Sequence, residues 1–396
     1  MINVPEANIE NIFLYVADAV RWDSLAEPIS DRGQTIKTVA ASIHTPTSFS
    51  SIVSGLYPPQ HNVRQFGDEL DPALPTIFTK RNINTRFANT INEEFNENPK
   101  SESILNKTLQ TEEADPGSLS HVEPPFIFVE RGPGGHAPYG EYDGNAWEYY
   151  RDRVGVSETR YRREYKRSIK RDAKYFTSQL ELLDDRNLLE NTLVIYTSDH
   201  GELLGEKGCL GHNSPIHPSL VYVPTVLIHP SINCSTLSGI IRHVDLFPTI
   251  CNLSGLNDPK TPGRDLTNES LPDQGACFYR KSLLPDVPLL SGELSFESLW
   301  DSSGGYVFSR TGSMNNALIL AGKLLKSAKR EYMRRHIREV ASLYLSRRQM
   351  YGNPKMAESE CKSFFDHVYD LPKSDVVRSS LENGAEERLQ ELGYLN

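Results

Sequence analysis

The stretch NTLVIYTSDHGE, residues 191–202, decides the reading of the fold. It begins as an unbroken run of apolar, β-branched and aromatic residues. Unbroken rather than alternating hydrophobicity marks a central strand covered on both faces. Two more runs share this character, NIFLYVAD (11–18) and PPFIFVER (124–131). Between them lie helical patterns. One runs from about Pro46 to Ser54; another, over 157–189, sets Tyr165, Ile169, Phe176, Leu180 and Leu183 at roughly helical spacing. Strands alternating with helices predict an α/β protein with a central, mostly parallel sheet flanked by helices.

In an open parallel sheet, ligands collect at the carboxyl ends of the strands. The first run ends in Asp18, the third in Asp199 and His200, and the second is followed by His136 in GGHAPY. Two carboxylates and an imidazole at one edge are donors for a divalent cation; taken singly, each Asp reads equally as a helix cap. A fourth element is HTPTSFSSIVSGLYPPQHNV, residues 44–63. Thr45 before Pro46 reads as the N-cap of a helix whose positive end suits a tetrahedral oxyanion. Thr45 is then either a cap alone or, beside a metal, a nucleophile.

Bulk properties narrow the partners. The chain has 396 residues, 38% hydrophobic and 24% charged, with a formal net charge of −10. An acidic balance argues against nucleic acid. Cys209, Cys234, Cys251, Cys277 and Cys361 are odd in number and lack metal-ligand spacing, so reduced thiols and a cytoplasmic location are expected. No apolar run reaches the length of a membrane-spanning helix. Oligomeric state is not legible.

Taken in order, NIFLYVADAVRWDSL, TPTSFSSIVSGLYPPQHNV, TLVIYTSDHGELLGEKGCLGHNSP, VPTVLIHP and HVDLFPTICNLSGL resemble sulfatase-like members of the alkaline phosphatase superfamily. The closing segment DHVYDLPKSDVVRSSLENGAEERLQELGYL is similar too. The resemblance covers roughly residues 9–256 and 362–395. It implies an alkaline-phosphatase-like fold and one divalent metal ion (manganese, magnesium or calcium, with zinc as a further option). By the same resemblance, Asp18, Asp199 and His200 are metal ligands and Thr45, beside the metal, occupies the nucleophile position. His212 and His136 match groups on the substrate side, and Lys207 falls where relatives often carry His.

This chain departs from the family pattern at several points. Sulfatases carry Cys-x-Pro-x-Arg or a Ser version at the nucleophile; here the frame reads Thr45-Pro46-Thr47-Ser48-Phe49, and threonine cannot become formylglycine. The second Asp of the usual pair is Ala19, and the Gly-Lys-Trp-His element is absent. A cation-poor site with a threonine nucleophile is expected to favour phosphate diesters over sulfate esters. The expected function is a metal-dependent hydrolase or transferase acting on a phosphate (di)ester or sulfate ester, with a small-molecule or glycan substrate. The alternatives are a sulfatase lacking formylglycine and a non-catalytic protein that binds an anionic glycan.

Residues 1–257 read as the catalytic α/β domain and 258–396 as a C-terminal subdomain. Within the latter, 258–290 reads as a long connection, GGYVFSR (304–310) as strand, and about 315–351 as helix. Residues 93–121 read as a surface excursion. The stretch 323–348 holds nine Lys or Arg against two Glu. It reads as a solvated face or as a contact with a membrane surface or polyanion.

Overall fold

The computed structural model describes residue 2 and residues 9–79, 83–90, 104–112, 118–256, 260–283, 292–375 and 377–378. Much of the polar stretch 93–121, both ends of the connection 258–290 and the closing segment beyond 378 lie outside the described residues. The main sheet contains β1 (Asn11–Ala17), β2 (Gln34–Val39), β3 (Asn84–Asn89), β4 (Phe126–Gly132), β5 (Thr192–Ser198), β6 (Tyr222–Ile228) and β7 (Ser235–Arg242). Their order is β7-β2-β6-β5-β1-β4-β3. β6 runs antiparallel to β2 and β5, and the other neighbours are parallel.

The unbroken apolar strands are explained by two cores. In β1, Ile12, Leu14 and Val16 face one side and pack with Phe49, Ile52 and Val53 of helix α1 (Thr45–Ser54). Phe13, Tyr15 and Ala17 face the other side and meet Tyr165, Ile169, Phe176 and Leu180 of helix α2 (Glu158–Asp185). Each face needs its own apolar set, so the run from Ile12 to Ala17 is unbroken. Helix α3 (His243–Leu253) packs beside α1 on the first face.

Register brings the reactive ends together. Ala17 pairs with Ser198 on one side and with Gly132 on the other. The next residues, Asp18 and Asp199, therefore leave adjacent parallel strands at the same level. The chain after β4 then crosses over Asp18. Gly134 (φ +56°) lies so close that a Cβ would sit 1.9 Å from the Asp18 carbonyl oxygen. Gly135 N–H donates to that oxygen at 2.7 Å.

The C-terminal part forms a separate antiparallel sheet of β8 (Gly275–Ser282), β9 (Glu293–Trp300), β10 (Gly304–Ser309) and β11 (Arg348–Gly352), in that order. Two sequence expectations need correction. The connection 258–290 contains a strand, β8. The helical stretch 315–351 is broken into α4 (Ser313–Lys326), α5 (Arg330–Arg335) and α6 (Ile337–Leu345), and its tail is β11. The first break is at Ser327, which is extended (φ −63°, ψ 143°) and whose hydroxyl accepts from the Lys329 N–H at 3.2 Å. A serine that bonds its own backbone in this way competes with helix continuation. Part of the basic stretch faces inward, for Lys323 on α4 is buried.

Gly134→Ala should lower stability by about 2 kcal/mol or more, because it adds left-handed strain to a backbone clash. Urea denaturation measures this. An unchanged midpoint would mean that the crossing over Asp18 relaxes at no cost.

Candidate active site

Thr45 is the first residue of α1, and His44, extended at φ −140° and ψ 125°, holds the cap position. The expectation of Thr45 as N-cap is therefore off by one residue, and its hydroxyl is used elsewhere. Thr45 Oγ1 lies 3.3 Å from His200 Nε2. Pro46 suits the first turn, and Gly55 (φ 69°) ends the helix with its N–H on Ser51 O. The positive end of this wholly buried helix thus opens onto the strand ends that carry Asp18 and Asp199.

The proton positions at His200 follow from its partners. Nδ1 is 2.9 Å from Gly201 O. A carbonyl only accepts, so Nδ1 carries a proton. Nε2 faces Thr45 Oγ1 and, at 3.4 Å, Asp199 Oδ2. Asp199 Oδ1 accepts from the N–H groups of Ala19 (3.0 Å) and His200 (2.8 Å). Asp199 Oδ2 is buried and finds no hydrogen-bond donor among the described residues. Donor atoms of Asp18, Asp199 and His200 lie within 4.8 Å of one another. This set fits a divalent cation.

Charge at the two carboxylates is uneven. Burial alone would raise the Asp18 carboxyl, but Arg131, with His136, His200 and His212 behind it, holds it well below the usual carboxylate range. The Arg131 guanidinium bonds directly to Asp18. Burial raises the Asp199 carboxyl to about 6 against the pull of His200, and Asp18 adds to the rise. Ala19, in place of the family's second Asp, is held in the left-handed region (φ 59°) so that its N–H can reach Asp199.

His212 and His136 stand on the same site. The His212 ring is 4.4 Å from His200 and 5.3 Å from His136, centroid to centroid. His212 Nδ1–H donates to Glu202 Oε2 at 3.0 Å, which leaves Nε2 as the acceptor of the ring. Glu202 Oε1 also accepts from the hydroxyls of Tyr139 (2.5 Å) and Tyr150 (3.4 Å). His136 Nδ1–H donates to Ala137 O at 2.6 Å. Burial lowers the pKa of His136, and burial with the charges of His200, His136 and Lys329 takes His212 well below the ordinary value. Both rings are therefore neutral near pH 7. A second donor group, His200, Glu202 and His212, shares His200 with the first.

The structure thus gathers Asp18, Thr45, His136, Asp199, His200 and His212. It does not gather Lys207, which is exposed and left-handed (φ 52°). His217, His229 and His243 bond to local backbone or hydroxyl groups.

The expectation of a cation-poor site is also corrected. Phe49, where the family has Arg, is fully buried edge-on against Phe87 (6.1 Å) and serves the core. Positive charge arrives from other elements. Arg131 comes from β4. From the C-terminal part, Lys281 Nζ donates to His44 Nε2 and Asn213 Oδ1, both at 3.1 Å. Lys323 Nζ donates to Asn213 O at 2.5 Å. Lys329 Nζ lies 4.4 Å from the centre of the Tyr150 ring. Burial, reinforced by the neighbouring lysines, lowers Lys281 and Lys323 to about 7. Reasoning from sequence missed these residues, as it missed Glu202 as the partner of His212. The only signal was the Glu in the Asp-His-Gly-Glu block.

Two measurements bear on this geometry. Asp199→Ala should lose bound divalent metal that the wild type retains after exchange, read by elemental analysis; equal contents would remove Asp199 from the ligand set. The second concerns pH. Lys281 and Lys323 bind fewer protons folded than unfolded from about pH 7 up to the ordinary lysine value near 10.4. Stability should therefore rise with pH across that window, by roughly 1 kcal/mol per unit for each lysine. Urea denaturation between pH 7 and 9 in anion-free buffer should give Lys323→Met a shallower rise than wild type. Parallel curves would mean that Lys323 titrates as it does in water.

The sulfatase family model matches residues 23–256. The low-salt glycan biosynthesis sulfotransferase Agl7 of Haloferax volcanii is 34% identical over 320 residues, 78% of this chain and 77% of that protein. A putative sulfatase structure from Bacteroides thetaiotaomicron superposes with a TM-score of 0.59 at 14% identity, over 87% of this chain and 96% of that one. The phosphonate monoester hydrolase of Agrobacterium radiobacter gives 0.56 at 15% identity, over 83% and 96%. At such identities the two structures speak for the fold. The family match spans more than half of the chain and includes Thr45, Asp199, His200 and His212, and the long alignment to a sulfotransferase agrees with it: this chain belongs to the sulfatase family.

Proposed function

We propose that the protein transfers a sulfuryl group from an ester, through Thr45, to an acceptor hydroxyl. The observation that carries this reading is the Thr45 hydroxyl at the positive end of a buried helix, 3.3 Å from His200 Nε2 and beside the Asp18–Asp199 edge. A divalent cation held by Asp18, Asp199 and His200 would supply positive charge next to that hydroxyl. Thr45 Oγ1 attacks sulfur, the Oγ1–S bond forms, and the ester S–O bond breaks. One proton moves from Thr45 to the leaving oxygen. His212 Nε2, an acceptor when neutral and a donor once protonated, carries it, while Glu202 steadies the imidazolium. In the second half the acceptor hydroxyl attacks sulfur, the Oγ1–S bond breaks, and the acceptor's proton passes through His212 Nε2 to Thr45 Oγ1. Arg131 offsets the charge of Asp18 throughout.

Release of the group differs from that in formylglycine sulfatases on chemical grounds. Formylglycine hydrate expels sulfate by elimination through its second hydroxyl. Threonine has no such hydroxyl, so sulfated Thr45 is released only by attack at sulfur. The sulfotransferase named for Haloferax volcanii supports a glycan acceptor. A phosphate ester, the diester included, is the second reading, because phosphorylated Thr45 is resolved by the same attack at phosphorus. The five cysteines are free thiols, which supports a reducing, cytoplasmic setting. Within the described residues no helix is long and apolar enough to cross a membrane.

The test compares matched aryl sulfate, phosphate monoester and phosphate diester, each with and without an amino-sugar acceptor, under Mn²⁺, Mg²⁺ and Ca²⁺. Aryl sulfate should be consumed faster with acceptor present, and mass spectrometry should find the adduct on Thr45. Phosphate rates above the sulfate rate under every metal would move the assignment to the second reading. Thr45→Ala should lose about 10³-fold or more in turnover. Its metal content should be unchanged and its stability within about 1 kcal/mol of wild type. Retention of most activity would remove Thr45 as nucleophile.

A further inference from the structure

Seven large apolar side chains are exposed among the described residues, and five of them fall between 314 and 350: Met314 and Leu325, 69% exposed each, with Ile337, Leu345 and Met350. The first two lie on one helix. α4 turns Asn316, Ile319, Leu320 and Lys323 inward, and Ile319 and Leu320 join the core that holds Phe296 and Trp300. Its outer face reads Met314, Ala317, Ala321 and Leu325, all exposed and spaced by three or four residues. That spacing keeps them on one side of the helix. The outer side of a surface helix is ordinarily polar or charged. Here the charged residues are Lys323, which is buried, and Lys326, in the last turn.

α6 lies against this helix. Asn316 Nδ2 donates to Tyr344 O at 3.0 Å and to Ser309 Oγ at 2.9 Å, and Ser309 N–H donates to Arg347 O at 2.9 Å. These bonds set the start of α4 against the end of α6, so Met314, Leu345 and Arg347 share one end of the pair. The other ends, with Leu325 and Ile337, are joined through α5. Cations accompany the apolar residues. Lys326, Arg335, Arg338 and Arg347 are exposed, and each lies within two residues of Leu325, Ile337 or Leu345. None of the four makes an ion pair among the described residues, whereas Arg330, Arg334 and Arg348 pair with Glu331 or Glu358. A chain of net charge −10 thus displays an apolar stripe bordered by uncompensated positive charge.

We propose that the exposed face of α4 and α6 docks on an anionic lipid surface, with Met314, Ala317, Ala321 and Leu325 at the acyl boundary and Lys326, Arg335, Arg338 and Arg347 against the lipid phosphates. Apolar burial and attraction to anionic headgroups are the two contributions that hold an amphipathic helix in a membrane interface, and this face offers both. The charge decides among occupants. A soluble polyanion would engage the cations and leave the stripe in water. A second copy of this chain, seated face to face, would bring the same cations against one another. The docking does not depend on which group is transferred at Thr45.

The test is co-flotation of the full chain, freed of unbound metal so that no cation bridges lipid to protein, with vesicles. One set is phosphatidylcholine alone; the other is an equimolar mixture with phosphatidylglycerol. The mixed vesicles should bind about tenfold tighter or more, and added salt should weaken that binding. Arg338→Gln combined with Arg347→Gln should cut the preference to about threefold or less. Met314→Gln combined with Leu325→Gln should weaken binding to the mixed vesicles by about fivefold or more and leave its salt dependence in place. All four residues are exposed, and thermal melting checks that each double variant folds; Lys326→Gln combined with Arg335→Gln stands in for the first pair if it does not. Equal binding to the two vesicle types, or binding that survives both kinds of substitution, would overturn the proposal. So would dextran sulfate binding as tight as that to the mixed vesicles and indifferent to Met314→Gln with Leu325→Gln, which marks a polyanion site. So would a dimer, seen by analytical ultracentrifugation, that those two substitutions dissociate while the vesicles go unbound. Vesicle binding needs no turnover, so failure of the transfer reading would show separately, as activity retained by Thr45→Ala.

Discussion

Two carboxylates, Asp18 and Asp199, lie fully buried on neighbouring strands at the same level of the sheet. Like charges in a low-dielectric interior cannot both ionise without compensation. The surrounding structure supplies it in layers. Arg131 is placed on Asp18 from the adjacent strand, Ala19 takes up a left-handed backbone to give Asp199 an N–H, and the positive end of α1 faces both. Gly134 lets the chain after β4 close over Asp18. What these donors leave is Asp199 Oδ2, which accepts from no donor among the described residues and faces His200 Nε2 at 3.4 Å.

The molecule divides its labour between two sheets. The parallel sheet delivers the acidic and imidazole groups by register alone. The antiparallel C-terminal sheet and its helices deliver ammonium groups to the His212 segment. The family's usual cationic positions near the nucleophile have passed to other uses, with Phe49 now part of the hydrophobic core beside Phe87.

Histidine chemistry here is set by what each ring gives away. His136, His200 and His212 all spend the Nδ1 proton on a carbonyl or a carboxylate and present Nε2 to the site. His136 and His212, held neutral by burial, cannot neutralise the oxygens of a bound ester. They are suited to moving a proton, and His212, backed by Glu202, is the ring equipped to hold one in passing.

The sequence by itself determined the sheet and the position of its chemistry. Unbroken apolar runs specify strands buried on both faces, and the residues that follow such strands must emerge at one edge; Asp18, Asp199, His200 and His136 were legible for that reason. The Thr45 helix was legible from Pro46 and Gly55, whose backbone preferences are local. Tertiary structure alone decided the cations. Arg131 reads as an ordinary strand-end residue, and Lys281, Lys323 and Lys329 lie 68 or more residues after His212 in segments that read as connection and as an unbroken basic helix. The direction in which a long flexible side chain points depends on where its element docks. Here a serine hydroxyl at position 327 interrupts the helix and the packing of the second sheet against the first turns the lysines inward. The second effect has no local signature, because it arises from contacts between residues far apart in the chain.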